Sequence, residues 1–472
     1  KQAQSREIDA LIGQLTHAAG QFDYEVYFSE VFRAQDGFDV VIGNPPYVRQ
    51  ELIREHKPAL KAHFPEVYQG TADLYVYFYA KGLRLLRANG VLVYISSNKF
   101  MRAGYGERLR RLLAGQTSVQ TVIDFGDLPV FDATTYPTVL VLRKATPAAE
   151  QATQTLVVEE IGVVQRLVEE MSERAWLQPQ KRLGSESWTL VQPGSSALID
   201  KLRRNGQPLS DHVDGQILAG IKTGRNQAFV IDQATRDTLV ARDPRSAQII
   251  KPWLRGRNVK RWKIDWGKEY VIALQSSDDA SASHPWVKSQ SGAQAESIFK
   301  TAYPAVYEHM KSQERELRRR TDQGRYWWEL RSCTYYDAMS RPKIVWPDIA
   351  KRSEFALDTS QALTDMTLFV TPTDDKVLLA ILNSRVIEWL VGQTSSQIQQ
   401  DFLRFKNIYV SPLPIPKANS AQRAAIERLV DNLLESGAEN RDFAALEQEL
   451  NALVHELYGL TEDEIAIVEG RA

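Results

Sequence analysis

Phe38-Asp-Val-Val-Ile-Gly-Asn-Pro-Pro-Tyr47 is the stretch whose reading decides the fold. Its first six residues are a short apolar run ending in glycine, the pattern of a buried parallel strand. The next four end that strand, because Pro45 and Pro46 lack N–H donors and fix their own backbone angles. Working outward, residues 73–86 predict a helix with apolar positions too dense for full exposure, broken by Asn89-Gly90. Residues 91–95 predict the next buried strand, 106–113 a basic amphipathic helix, and 119–125 and 138–142 two further strands. Strands alternating with helices at this spacing predict an open α/β sheet.

At 472 residues, the chain is long enough for two to four domains at roughly 100–200 residues each. Its single cysteine, Cys333, excludes a disulfide framework and a thiolate-built zinc site, which predicts a reducing, cytoplasmic setting. No apolar run approaches the ~20 residues of a membrane helix, so no membrane partner is expected. The first residue is Lys rather than Met, which predicts a processed or partial chain. His56, His212 and His455 are scattered without ligand spacing, and no metal is assigned.

The net charge of −1 is a cancellation. Residues 201–350 carry 26 basic and 17 acidic side chains, whereas residues 351–472 carry 11 and 19. A basic middle therefore hides behind an acidic tail, whose helices are expected to face away from any polyanion.

Four regions are predicted: an α/β part over 1–150, a connector over 151–182, a mixed α+β domain over 183–416, and C-terminal helices over 417–472. The connector holds a strand near 156–158 and an acidic helix near 167–174. Residues 377–391 predict one buried helix. Residues 411–416, with three prolines, predict an extended hinge.

Asn44-Pro45-Pro46-Tyr47 carries the chemistry. It follows a strand in an open α/β sheet, and ligands bind outside the carboxyl ends of such strands. The Asn44 side-chain oxygen and the Pro45 carbonyl can each accept a hydrogen bond from one planar NH₂. Two such acceptors draw the nitrogen lone pair out of conjugation, towards an electrophile. The prolines stiffen the loop so that little reorganisation is needed, and Tyr47 offers a face for an aromatic base. A strand-ending Pro-Pro turn would use the same residues.

The motif resembles the catalytic tetrapeptide of DNA amino-methyltransferases that use S-adenosylmethionine, in the TaqI-like adenine group. Fused restriction–modification enzymes of type IIG–IIL (MmeI-like) are the most similar members. The resemblance extends through Thr71-Ala-Asp-Leu-Tyr75, Gly90-Val-Leu-Val-Tyr-Ile-Ser-Ser-Asn-Lys-Phe100 and Phe131-Asp-Ala-Thr-Thr-Tyr-Pro-Thr138. It implies a partial Rossmann-like methyltransferase sheet, an α+β target-recognition domain and a C-terminal helical segment. It also implies flipping of adenine from double-stranded DNA. By the same resemblance Asn44, Pro45, Pro46 and Tyr47 are catalytic and Phe131 or Tyr136 contacts the target base, sheet-edge packing being the alternative for both. Asp73 approaches the cofactor, or is simply an acid at a helix start.

The chain also departs from that family. A Gly-x-Gly loop for S-adenosylmethionine should precede Asn44, yet the glycines of residues 1–43, among them Gly13, Gly20 and Gly37, form no Gly-x-Gly. The main cofactor site is therefore expected outside this chain, in an N-terminal cofactor-binding or nuclease portion of the same protein. Two other readings remain open: a DNA-recognition module without catalysis, and methylation of RNA or of a protein glutamine.

Residues 220–231 and 250–262 resemble the specificity domain of TaqI-like enzymes. They carry Lys222, Arg225, Lys251, Arg255, Arg257, Lys260 and Arg261 on glycine-containing turns. Lys and Arg neutralise phosphates, and Arg also pairs bidentately with guanine. Arg318, Arg319, Arg320 and Arg325 are further candidates for DNA contact, whereas Trp327 and Trp328 are expected in the core. Gln399, Gln400 and Arg404 could read bases.

Overall fold

The computed structural model describes residues 6, 9, 10, 23–126, 128–131, 135–158, 160–395, 397, 398, 402–436 and 442–471. The chain divides into two compact units, Lys1–Ala197 and Leu198–Ala472. That boundary falls inside the helix Pro193–Asn205.

The first unit is built on a mixed six-stranded sheet of order β1-β2-β4-β3-β5-β6. Its strands are β1 Phe38–Gly43, β2 Leu86–Ser97, β3 Ser118–Asp124, β4 Pro137–Arg143, β5 Ala152–Val157 and β6 Trp176–Pro179. β1 pairs parallel with β2, and β4 runs antiparallel between β2 and β3. The carboxyl ends of β1, β2 and β3 therefore share one edge with the start of β4, and Asn44, Asn98, Asp124 and Tyr136 are brought there. The helix Tyr75–Leu85 buries nine residues beside this sheet. It ends at Leu85, and Asn89-Gly90 becomes an irregularity within β2, where the register with β1 slips and Asn89 takes φ +64°.

Several expectations are corrected. β1 is parallel but not buried: it is an edge strand, and Val40 and Ile42, on one face, are 56% and 78% exposed. Residues 151–182 are not a connector, because β5 and β6 extend the same sheet. Residues 183–192 close the core of the first unit rather than open a new domain. Trp188 there is fully buried, its ring packed edge-on against Phe100 at 5.6 Å.

The second unit combines two four-stranded sheets with smaller ribbons and helices. The predicted single helix over 377–391 is two, Lys376–Leu382 and Arg385–Thr394. Asn383 separates them by exchanging hydrogen bonds with both backbone groups of Phe355, at 3.1 and 2.9 Å. The proline segment is no hinge: Pro414–Pro416 is buried and pairs with Gly206–Pro208. The C-terminal helices belong to this unit, since Tyr458 donates to the Pro414 carbonyl and Asn205 donates to that of Tyr458. No described helix is long and apolar enough to cross a membrane.

Candidate functional site

The loop after β1 leaves Asn44 exposed and buries Pro45. Among the described residues neither the Asn44 carboxamide nor the Pro45 carbonyl has a hydrogen-bond partner. The loop itself is fixed from behind: Val48 N donates to the Pro46 carbonyl, and Leu74 N to that of Val48, both at 3.0 Å. Asp73 completes that fixation, one carboxylate oxygen accepting from Gln50 N at 3.0 Å. Burial raises the Asp73 pKa, an effect opposed by this bond.

Tyr47 is half-buried and meets the ring of Phe131 edge-on, centroids 6.0 Å apart. Its hydroxyl has no hydrogen-bond partner among the described residues. Burial pushes its pKa up to about 12, so it is neither a base nor an anion near neutrality. Phe131 is thus brought to the motif, whereas Tyr136 sits under Lys99, whose ammonium lies 5.2 Å from the ring centre.

Two residues that the sequence reading left unassigned organise this edge. Buried Asp124, at the end of β3, accepts from Asn98 Nδ2 at 2.8 Å and from Gly126 N at 3.1 Å. Asn98 N donates to the Tyr136 carbonyl at 2.7 Å. Both ends of the segment bearing Phe131 are thereby tied to the sheet. Burial raises the Asp124 pKa, with Arg102 opposing. Polar residues closing adjacent apolar strands were the available signal.

In the second unit, glycines explain the two basic loops. A Cβ at Gly220 would stand 1.8 Å from the Asp365 carbonyl oxygen, and Gly224 takes φ +67° against the Asp322 carbonyl. Ile221 forms a parallel bridge with Asp365. Gly256 N donates to Thr367 Oγ1 at 2.8 Å. Both loops are therefore fastened to the turn 365–367.

A match to the Eco57I restriction-modification methylase family covers residues 2–131, and one to the TaqI-like C-terminal specificity domain covers residues 251–415. The chain belongs to the Eco57I/TaqI-like type II DNA methyltransferases of restriction–modification systems. Among similar proteins, the type II methyltransferase M.PaeR7I of Pseudomonas aeruginosa is 26% identical over 92% of this chain and 72% of its own length. M.BstVI of Geobacillus stearothermophilus is 22% identical over 92% of this chain and 75% of its own. The type IIL restriction-modification enzyme MmeI shares the fold at TM-score 0.61 and 13% identity. That likeness covers 95% of this chain, which spans 57% of the MmeI chain.

In this type II methyltransferase the candidate DNA-binding cations fall into three sets. Lys251, Lys260 and Arg319 are exposed and lie outside every ion pair among the described residues. Most of the others are held by carboxylates: Lys222 by Asp322 at 2.7 Å, Arg225 by Glu316 at 3.9 Å, and Arg325 by Asp278 at 2.6 Å. Arg255 and Arg257 share Glu269 at 3.1 and 2.8 Å, and Arg318 pairs with Glu314 at 2.7 Å. Arg404 pairs with Asp348 at 3.4 Å; Gln399 and Gln400 lie outside the described residues.

Arg261 and Arg320 correct the sequence reading, because both are buried. Arg261 is held by Glu447 of the acidic tail and by Glu388. Arg320, 8% exposed, donates to the carbonyls of Leu317, Thr223, Asp322, Trp327 and Glu329. Burial draws its pKa down to about 10, so it stays charged at neutral pH. These arginines join elements of the fold rather than face solvent. Trp327 and Trp328 lie in the core.

Proposed function

We propose that the first unit is the target-base half of a methyltransferase acting on the exocyclic amine of adenine in double-stranded DNA, and the second unit its DNA-selecting domain. The observation that carries this reading is the Asn44 carboxamide and Pro45 carbonyl, unpaired among the described residues, beside the Tyr47–Phe131 ring pair. An extruded adenine would give its two amine hydrogens to these acceptors and rest its ring on the aromatic pair. The acceptors sharpen the nitrogen lone pair, and the rigid Pro-Pro backbone holds the amine in one orientation. The elevated Tyr47 pKa leaves its ring, rather than its hydroxyl, as the useful group.

S-adenosylmethionine is the donor that the family implies. The described residues do not fit it: Asp73, the sequence-based candidate, commits one carboxylate oxygen to the Gln50 N–H of the motif's own loop. We assign the rest of its site to residues outside this chain. The outer edge of β1, unpaired among the described residues, and its exposed Val40 and Ile42 support that assignment, since strand edges and apolar patches are ordinarily covered.

Asn44→Ala, placed in the protein together with its cofactor-binding portion, is expected to lower methyl transfer at least about 1,000-fold while leaving duplex affinity within about twofold. Methyl incorporation and fluorescence anisotropy read the two. Loss of both together would overturn the role given to Asn44. Duplex binding by this chain with no calorimetric heat from S-adenosylmethionine would favour the recognition-module reading.

A further inference from the structure

We propose that Met366 reads a base pair of the target duplex, as an apolar side chain mounted between two basic loops of the DNA-selecting unit. The inference rests on the reading of that unit given above. Three observations carry it. The turn 365–367 is held from all sides. Asp365 accepts from Thr367 N at 2.9 Å and from the Thr367 hydroxyl, Asp365 N donates to the Leu254 carbonyl at 2.9 Å, and Thr367 O accepts from Asp348 N at 2.9 Å.

The same turn is also where the two basic loops meet. The Ile221–Asp365 bridge fastens the loop that carries Lys222 and Arg225 to this turn, and the Gly256–Thr367 bond fastens the loop that carries Arg255 and Arg257. Gly220 has no room for a side chain there, so this approach is built into the sequence.

Finally, Met366 is 58% exposed at the tip of this turn, although Thr364 and Leu368 beside it are fully buried. A large apolar side chain held outward on a fixed turn, where two cation-bearing loops are joined, fits a duplex better than another apolar protein surface. Flanking cations engage phosphates and set register without reading sequence. Base pairs differ in the thymine methyl they present, and methionine can also wedge at a base step. Met366 would thus supply discrimination, and the loops on either side affinity.

The test is selection of bound duplexes from a random-sequence pool by the full chain, followed by sequencing, for wild type, Met366→Ala and Met366→Leu. Met366→Ala is expected to lose preference at one or two adjacent base pairs by about tenfold or more. Its affinity for unselected duplex should stay unchanged, and Met366→Leu should keep the preference. A Met366→Ala pool with the wild-type motif overturns the inference, as does a uniform loss of affinity with the motif intact. If wild type enriches no motif, the DNA-selecting reading of the unit fails, and this inference with it.

Discussion

At the Asn44–Tyr47 loop an exposed carboxamide and a neighbouring carbonyl stand without partners among the described residues, while the backbone behind them is pinned by Asp73 and Leu74. Around residues 220–331 the polar groups are arranged the other way: most cations are held by carboxylates or carbonyls, and a few remain free. The contrast fits the tasks proposed for the two units. Orienting one uncharged amine needs fixed acceptors that nothing else occupies. Binding a polyanion needs cations that can exchange a carboxylate for a phosphate, and a surface of paired charges holds its shape until that exchange.

The largest effect is expected where this contrast is sharpest. Arg320→Ala would leave five carbonyls short of a donor in the second unit, a loss of about 3–5 kcal/mol in urea unfolding. A variant as stable as wild type but weaker on DNA would return Arg320 to the interface.

His284 tests the same unit by pH. Its imidazole stacks on Trp286 at 4.7 Å and accepts from Gln275 N, and burial lowers its pKa from the ordinary 6.5 to about 4. The native state keeps it neutral where the unfolded chain protonates it, so its contribution is complete above about pH 6.5 and is lost as pH falls towards 4. The loss is at most about 3 kcal/mol. Unfolding of wild type and His284→Gln at pH 7 and 4.5 should show the shallower pH dependence in the variant. Equal dependence would refute the assignment.

The smallest effect concerns Glu269, which holds Arg255 and Arg257 together. Glu269→Gln should free both guanidiniums, tighten binding to unselected duplex by about three- to tenfold at low salt, and steepen the salt dependence. Unchanged or weaker binding would mean that the carboxylate positions these arginines rather than restrains them.

Much of the first unit was legible in the chain itself. The apolar run to Gly43 and the Asn-Pro-Pro-Tyr loop marked strand and site together, since both signals are local. Phe131 was among the candidates, but its meeting with Tyr47 depends on β4 returning between β2 and β3. Asn98 and Asp124 escaped notice because a polar residue at a strand end acquires meaning only from the neighbouring strand.

The sequence by itself determined the α/β order, the Asn-Pro-Pro-Tyr loop that ends the first strand and the basic middle, because spacing and residue type act within a few positions. Only the tertiary structure decided which cations stay available. Arg319 and Arg320 are adjacent in sequence, yet one is exposed and the other is enclosed by carbonyls from distant segments. It also decided that β1 is an edge, since a strand's burial depends on what lies beside it. The exposure of Met366 is of the same kind: a turn joins two loops more than a hundred residues upstream, and no local pattern encodes that meeting.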